Sequence, residues 1–403
     1  MSFPQDLINE VLHLLKDDHE SLLSFCLVSS DCRTEAQKLL YRRLAFQELD
    51  LISRKGYDCY VEGSDEVDLL QWTFPEEQLK PFLISVTPSC ATSSYIQEFS
   101  CTDVDASELL TLLYPALRQM FNLKTLRLMV GNPRKPTPVK DLLANLPFQL
   151  VRLCWLDMCR TGGEKEFINA LMSFFSSQHK LEYLHLASPN RKYSSLSRPI
   201  NCPTLKTYIG DFKLIVPPLQ PHPPPTTLGF VSWPTDWISL PSLLKTVPSP
   251  FDGLKTLIVY TYEFRHTNVR LLAKRLQSVE ILHIVVGESA FGASHNATDN
   301  MKLLDEVHHM SQLRKLIWTS YNDHRGIGPF SPVRMNFQKH FAEHLFRALS
   351  SFEAAYFSCG EKTNVYALWT REGAGPQKVS SGEVHHLTVF SEITLDRRLI
   401  LDV

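Results

Sequence analysis

The sequence predicts an α/β fold in which a three-helix N-terminal domain precedes a curved solenoid of strand–helix repeats with a C-terminal strand cap. Three observations lead to this fold class: apolar residues at helical spacing near the N-terminus, an apolar motif that recurs about every 25 residues, and alternating apolar residues near the C-terminus. They divide the 403 residues into four segments, which are 1–44, 45–94, 95–360 and 361–403.

The first 44 residues carry three helical patterns. Pro4 suits the opening turn of a helix, and apolar residues follow at helical spacing, at Leu7, Ile8, Val11, Leu12 and Leu15. A second apolar stretch, 22–28, ends at Ser29-Ser30-Asp31, where side chains can cap a third helix. Helices this short have too little interior for so many large apolar groups, so we expect some of them to form an exposed partner site. The alternative is that they pack only on the rest of the chain.

The order of these elements resembles the F-box family over residues 3–44. The resemblance rests on Phe3-Pro4-Gln5-Asp6-Leu7-Ile8, then Leu27-Val28-Ser29-Ser30, then Arg33, and finally Leu40-Tyr41-Arg42-Arg43-Leu44. Cys32 stands where many members have tryptophan. The resemblance implies binding to a Skp-type adaptor and, through the adaptor, to a cullin. The residues that it places at or beside the adaptor are Pro4, Leu7, Ile8, Val11, Leu27, Val28, Arg33, Leu40 and Tyr41.

The middle of the chain contains a degenerate repeat. A Leu-x-x-Leu-x-Leu core, with any apolar residue allowed, begins at Ile96, Leu123, Leu150, Leu181, Leu205, Leu228, Leu254, Val279, Leu313 and Phe352. Helical patterns lie between several of these cores, and a strand followed by a helix at this period stacks into a solenoid. The array resembles the leucine-rich-repeat part of fungal-type F-box proteins. The alternative is a non-repetitive α/β domain.

Segments beside the clearest repeats carry weaker patterns. Residues 45–52 and 82–86 are predicted as short strands, and the proline-rich stretch 217–225 is predicted as an extended connection. Near the C-terminus, the alternating segments 384–389 and 393–401 predict strands that cover the open end of the array.

The predicted strands also indicate a candidate surface for a target protein. In each repeat, the two residues that flank the middle apolar position point to the concave face. This face is not basic, which argues against nucleic acid, and its middle is apolar and aromatic. We therefore expect target binding at Tyr183, Ile209, Phe230, Ile258, Ile281 and Ile317. The alternative is that loops of the same chain cover this face.

Composition and charge exclude several other classes. A net charge of −2 gives no general attraction to nucleic acid or to an anionic membrane, and no apolar run approaches the roughly 18 residues of a membrane helix. Nine scattered cysteines indicate free thiols in a reducing compartment, so we expect a cytoplasmic or nuclear protein.

No catalytic constellation, metal site or cofactor motif stands out, and single histidines on the predicted strands are expected to be solvated. Together with the resemblance, these observations predict a non-enzymatic substrate-recognition subunit of a Skp–cullin–F-box ubiquitin ligase. The alternative is a leucine-rich-repeat scaffold without a ligase role.

Overall fold

The structure of the protein, a computed structural model, describes most of the chain in separate stretches. The described residues are 4–16, 18–47, 72–87, 91–104, 107–130, 146–157, 164–187, 202–210, 225–231, 253–261, 276–288, 307, 309–322, 330, 332–359, 365–380, 383–384 and 387. The chain divides into two compact units. The first unit comprises residues 1–55, 65–194 and 200–204, and the second comprises 56–64, 195–199 and 205–403.

The first unit begins with helices and continues with strand–helix repeats. Its described helices and strands are α1 (Gln5–Leu15), α2 (His19–Phe25), α3 (Ser30–Leu40), β1 (Arg43–Gln47), β2 (Trp72–Pro75), α4 (Leu79–Val86), β3 (Glu98–Val104), α5 (Ser107–Leu117), β4 (Thr125–Val130), β5 (Arg152–Asp157), α6 (Glu164–Ser177) and β6 (Tyr183–Ala187). Short 3₁₀ helices span Glu76–Gln78 and Ala91–Tyr95.

Helices α1 to α3 form a small packed group at the start of this unit. Asp18 caps α2 by accepting a hydrogen bond from the backbone N–H of Ser21 at 3.2 Å, and Ser29 caps α3 by accepting one from Cys32 at 3.1 Å. The apolar faces of the three helices meet in a common core, which consists of Ile8, Leu12, Leu22, Cys32, Ala36 and Leu40.

The strands of the first unit lie in the order β6-β5-β4-β3-β1-β2, and each described neighbouring pair is parallel. Side chains on a strand alternate between two faces, and one face forms the core. Two register rows are buried there, Phe99-Leu126-Leu153-Leu184 and Cys101-Leu128-Trp155-Leu186. Phe82 of α4 packs on this face, with its ring centroid 5.0 Å from that of Phe46.

The second unit contains parallel strands that are followed by two antiparallel strands. Its described elements are β7 (Thr207–Gly210), β8 (Thr227–Val231), β9 (Thr256–Thr261), β10 (Ile281–Glu288), β11 (Lys315–Asn322), α7 (Pro332–Ala348), β12 (Ala354–Cys359), β13 (Val365–Thr370) and β14 (Gln377–Ser380). Strands β7 to β12 are parallel in chain order, whereas β13 and β14 add antiparallel pairs. Phe341 of α7 packs edge-on against Trp318 and Phe357, with centroids 5.8 Å apart in both pairs.

One backbone arrangement recurs at the start of the strands in both units. A single carbonyl accepts hydrogen bonds from two consecutive N–H groups of the next strand, as Lys124 does from Val151 and Arg152 at 2.8 and 3.0 Å. The carbonyls that do so in the described chain belong to Arg42, Gln97, Lys124, Val151, Lys206, Thr226, Lys255, Glu280 and Arg314. The recurrence shows that these segments are copies of one structural unit, as in a leucine-rich-repeat-like array.

The structure confirms the predicted fold class. N-terminal helices precede strand–helix units with parallel strands, and the antiparallel strands β13 and β14 follow them. The predicted strand 393–401, most of the predicted strand 384–389 and most of the predicted extended connection 217–225 lie outside the described residues. Val384, the first residue of the predicted strand 384–389, is helical and not in a strand.

The predicted strand 82–86 is wrong. These residues belong to α4, where Leu79, Leu83 and Val86 are buried at helical spacing. An uninterrupted apolar run of this length shows neither a helical nor a strand period. The segment is helical in the structure because burying one face of the helix stabilises it.

The predicted alignment of the sixth repeat is wrong by three residues. Strand β8 pairs Leu228 with Tyr208 and Phe230 with Gly210. Pro225, which is buried, therefore stands at the first apolar position of the repeat, where the motif predicted Leu228. In this register Phe230 pairs with Val259, and Gly229 is the residue that pairs with Ile258.

Candidate partner-binding surfaces

The nine residues predicted to lie near the adaptor divide into surface and core. Pro4, Leu7, Leu27, Val28 and Arg33 are exposed. Val11 and Tyr41 are half-buried, whereas Ile8 and Leu40 belong to the core of the three helices. The surface members are therefore available to a partner, and the core members act by holding the helices together.

Helix α1 carries an apolar stripe on its outer side. Leu7 and Leu14 are 45% and 79% exposed, and Val11 lies between them at the i+4 and i+3 spacing that places all three on one helix face. Sequence reasoning missed Leu14 and the exposed Leu23 of α2. The spacing from Leu7 could have identified Leu14.

The turn between α2 and α3 is held in a defined conformation. The N–H groups of Leu27 and Val28 donate to the carbonyls of Ser24 and Phe25 at 3.0 and 3.2 Å. The Nε of Arg33 donates to the Cys26 carbonyl at 3.3 Å. Because these bonds order the turn in the isolated chain, a partner that contacts Leu27 and Val28 has little loop entropy to remove.

Cys32, which stands where many F-box proteins have tryptophan, does not face the outside. Its side chain is buried in the core of the three helices beside Ala36. In this chain the position contributes to helix packing and not to the exposed apolar surface.

The predicted target-binding residues are mostly not exposed. Tyr183, Ile209, Ile258 and Ile317 are buried, and Ile281 is half-buried. Phe230 does not belong to this face, as the register of β8 shows. The premise of an exposed apolar strand face therefore fails for these residues.

The C-terminal part of the chain covers this face around Ile317 in the second unit. Ile317 forms a buried cluster with Tyr366, Val379 and Val384, and the residues that pack against the cluster are Ile281, Tyr356, Leu368 and Leu387. At Ile317 and Ile281 the alternative is correct, because residues that follow the repeats in sequence occupy the place expected for a partner.

A short hydrogen-bonded chain lies within the same region. The hydroxyl of Thr319 is 3.0 Å from His283 Nε2 and 3.0 Å from the hydroxyl of Tyr366, and all three side chains are buried. Burial raises the pKa of the Tyr366 hydroxyl, and the bond to Thr319 opposes this shift only in part. Tyr366 therefore stays a neutral donor or acceptor.

The β13–β14 hairpin is fixed to the end of α7. The guanidinium of Arg371 donates to the carbonyls of Phe346 and Leu349 at 2.9 Å, and to those of Ser350 and Phe352 at 3.3 and 3.2 Å. The Phe346 carbonyl belongs to the last turn of the helix and the other three follow it, where a cation is favourable. The hairpin is thus a structural cap of the second unit.

The histidines that were predicted to be solvated are buried instead, and so are the free cysteines Cys32, Cys101, Cys154 and Cys202. His185 and His283 are buried, and Cys154 Sγ lies 3.3 Å from His185 Nδ1. Burial raises the pKa of the Cys202 thiol to about 12, so this thiol stays protonated. Among the described residues, no three potential ligands cluster as a metal site would require. Within the same residues, no helix combines the length and apolar character needed to cross a membrane.

Comparison with known proteins assigns no family to the chain. No protein-family model matches the chain, and a search of curated proteins finds no similar sequence.

Proposed function

We propose that the chain is a substrate-recognition subunit of a Skp–cullin–F-box ubiquitin ligase, and that α1 to α3 dock on the Skp-type adaptor. One observation carries the proposal: these helices have a filled core and still expose large apolar side chains. The exposed residues are Leu7, Leu14, Leu23, Leu27 and Val28. Burying such a side chain against a partner is worth about 1.5–3 kcal/mol when it was fully exposed. Five of them are sufficient to anchor a protein interface.

The chain would perform no bond chemistry in this complex. It would tether a target protein through its repeat units, at a fixed position relative to the ubiquitin-charged enzyme. Tethering raises the effective concentration of the target, and a fixed orientation lowers the entropic part of the barrier.

The test is co-purification of the full chain with a Skp-type adaptor. We expect the parent chain to bind and a Leu7→Asp/Val28→Asp variant to lose at least tenfold in affinity. The matched control is Ile84→Asp/Phe121→Asp, which charges two equally exposed apolar residues outside the three helices. Circular dichroism would verify the fold of both variants. No binding by the parent chain, or equal losses in both variants, would refute the proposal.

One observation favours a second candidate, a repeat scaffold in which the helices only cap the array. The chain runs from α3 into β1 within two residues, and the Arg42 carbonyl accepts from Gln97 and Glu98 as in the later repeats. The helices are thus continuous with the first repeat. A variant that lacks residues 1–40 would then lose stability without losing any adaptor interaction.

A further inference from the structure

The chain turns back over the strand face of the second unit after its last strand. Val384 comes four residues after the end of β14, and it lies in the buried cluster that contains Ile317 of β11. Leu387 packs against the same cluster, and Glu383 is exposed beside Val384. We call Glu383, Val384 and Leu387 the C-terminal strap. The strap therefore occupies a part of the face that belongs to strands far from its own position in the sequence.

The strap presents two aliphatic side chains to the face from a single turn. The side chain of Val384 is 0% exposed, and that of Leu387 is half-buried. The N–H of Leu387 donates to the carbonyl of Val384 at 3.0 Å, which closes a turn between residues three apart. Side chains three positions apart in such a turn lie on the same side. Val384 and Leu387 thus contact the face together, in the way that a short peptide ligand would.

Apolar contacts hold the strap, whereas a backbone ladder holds the strands before it. The N–H of Glu383 donates to Ser380 Oγ at 3.4 Å, and that of Leu387 to Val384, so both bonds are local. Strand β14 instead pairs with β13 over four residues, and Arg371 fixes this hairpin to the end of α7. Segments with few hydrogen bonds to their surroundings open at a lower free energy than paired strands. The strap can therefore leave the face while the hairpin stays in place.

The face under the strap has a defined chemistry. The half-buried residues of the strands that pack against the cluster are Ile281, Tyr356 and Leu368. Burial raises the pKa of the Tyr356 hydroxyl, and the carboxylate of Glu383 raises it further because two negative charges would repel. Glu383 consequently lies near Tyr356. The face accepts two aliphatic side chains with a carboxylate beside them.

This occupied face differs from a permanently closed core, because its occupant is short and ends the described chain. Covalent attachment gives the strap a high effective concentration at the face. A segment of another protein can replace it by offering the same side chains in the same turn, once its concentration or affinity exceeds that advantage. Recognition of a helical turn by an apolar surface is a common mode of peptide binding.

We infer that the strand face around Ile317 is a protein-binding site that the C-terminal strap occupies in the free chain. The partner that displaces the strap is a protein segment with the same pattern, an acidic residue followed by two aliphatic residues three positions apart. The identification of that protein as the target of a ligase rests on the proposed function. The occupied site itself does not, because it needs neither adaptor nor cullin.

The test uses the full chain and a fluorescein-labelled peptide with the sequence of residues 381–390, with fluorescence anisotropy as the readout. The parent chain should bind the peptide only weakly, because its own strap competes at high effective concentration. The chain with Val384→Asp/Leu387→Asp should bind it at least tenfold more tightly, since a charged strap leaves the apolar face. A peptide that carries the same two substitutions should bind neither chain.

The matched control is the chain with Ile84→Asp/Phe121→Asp, which introduces the same two charges at exposed apolar residues of the first unit. It should bind the peptide within twofold of the parent chain. Circular dichroism would verify the fold of both variants. Equal binding by the parent and the strap variant, or an equal gain in the control, would overturn the inference.

A measurement on the parent chain covers the case in which the strap variant fails to fold. The amide hydrogen of Leu387 should exchange at least tenfold faster than the hydrogen-bonded amides of β13, because the strap opens without the hairpin. Equal protection of Leu387 and β13 would show that the strap opens only with the whole unit. That result would also overturn the inference.

Failure of this inference can be told apart from failure of the proposed function. The Val384→Asp/Leu387→Asp variant should co-purify with the adaptor as well as the parent chain does, because both residues lie outside α1 to α3. Peptide binding by this variant without adaptor binding would retain the site under the strap and reject the ligase role.

Discussion

The three N-terminal helices and the strand face of the second unit both carry rows of large aliphatic side chains, but only the helices leave them exposed. Leu27 and Val28 are 81% and 54% exposed, whereas Ile209, Ile258 and Ile317 are buried. For Ile317 the difference arises from residues that come later in the chain. Tyr366, Val379 and Val384 pack around Ile317, while the described structure leaves Leu27 and Val28 uncovered. An apolar row therefore becomes a partner site only where the chain does not cover it.

The largest expected effect comes from placing the same charge in both regions. Ile317→Asp would bury a carboxylate in the cluster with Tyr366 and Val379, and should destabilise the second unit by more than about 4 kcal/mol. Leu27→Asp should change stability by less than about 0.5 kcal/mol, since its side chain remains in water. Urea unfolding followed by tryptophan fluorescence measures both. Similar losses in the two variants would contradict the contrast between the regions.

A medium effect should come from detaching the cap. Arg371→Ala removes hydrogen bonds to four carbonyls in and just after the last turn of α7, and should cost about 1–2 kcal/mol because the side chain is exposed. Hydrogen exchange should then increase in β13 and β14, while exchange in α1 to α3 stays unchanged. Arg371→Lys should recover only part of the loss, because an ammonium cannot reproduce the planar fork. If Arg371→Ala leaves hydrogen exchange in the hairpin unchanged, Arg371 does not anchor the hairpin.

A smaller effect should come from Tyr366→Phe, which removes the hydroxyl that contacts Thr319. We expect a loss of about 1 kcal/mol at pH 7. The pKa of Tyr366 is raised above its ordinary value of 10.0 by burial, so ionisation favours the unfolded chain at alkaline pH. The contribution of the neutral hydroxyl to the free energy of unfolding should thus be fully present below pH 10. It should decrease as the pH rises further. The variant should lose stability less steeply with pH than the parent above pH 10, and parallel curves would contradict this role.

Periodicity predicted the architecture because it depends on side chains within each segment. Leu126, Leu153 and Leu257 were placed correctly in the core rows since each strand buries one alternate set. The register of β8 was missed because Pro225 occupies a position where the motif requires an aliphatic residue.

Exposure was harder to predict than secondary structure, because it depends on contacts between distant residues. Ile317 and Tyr366 are 49 positions apart in the sequence, and no local pattern relates them. Among the nine residues predicted to lie near the adaptor, Leu7 is exposed and Ile8 is in the core. This difference likewise depends on how the three helices pack.

The carbonyl that two N–H groups share at the start of nine described strands has a consequence for how far these repeats can diverge. Its partners are main-chain N–H groups, so substitutions of side chains leave the bond intact as long as neither donor position becomes proline. Repeats of this kind can lose most of their recognisable leucine pattern and still stack in the same way. The geometry can thus outlast any similarity that a comparison of sequences detects.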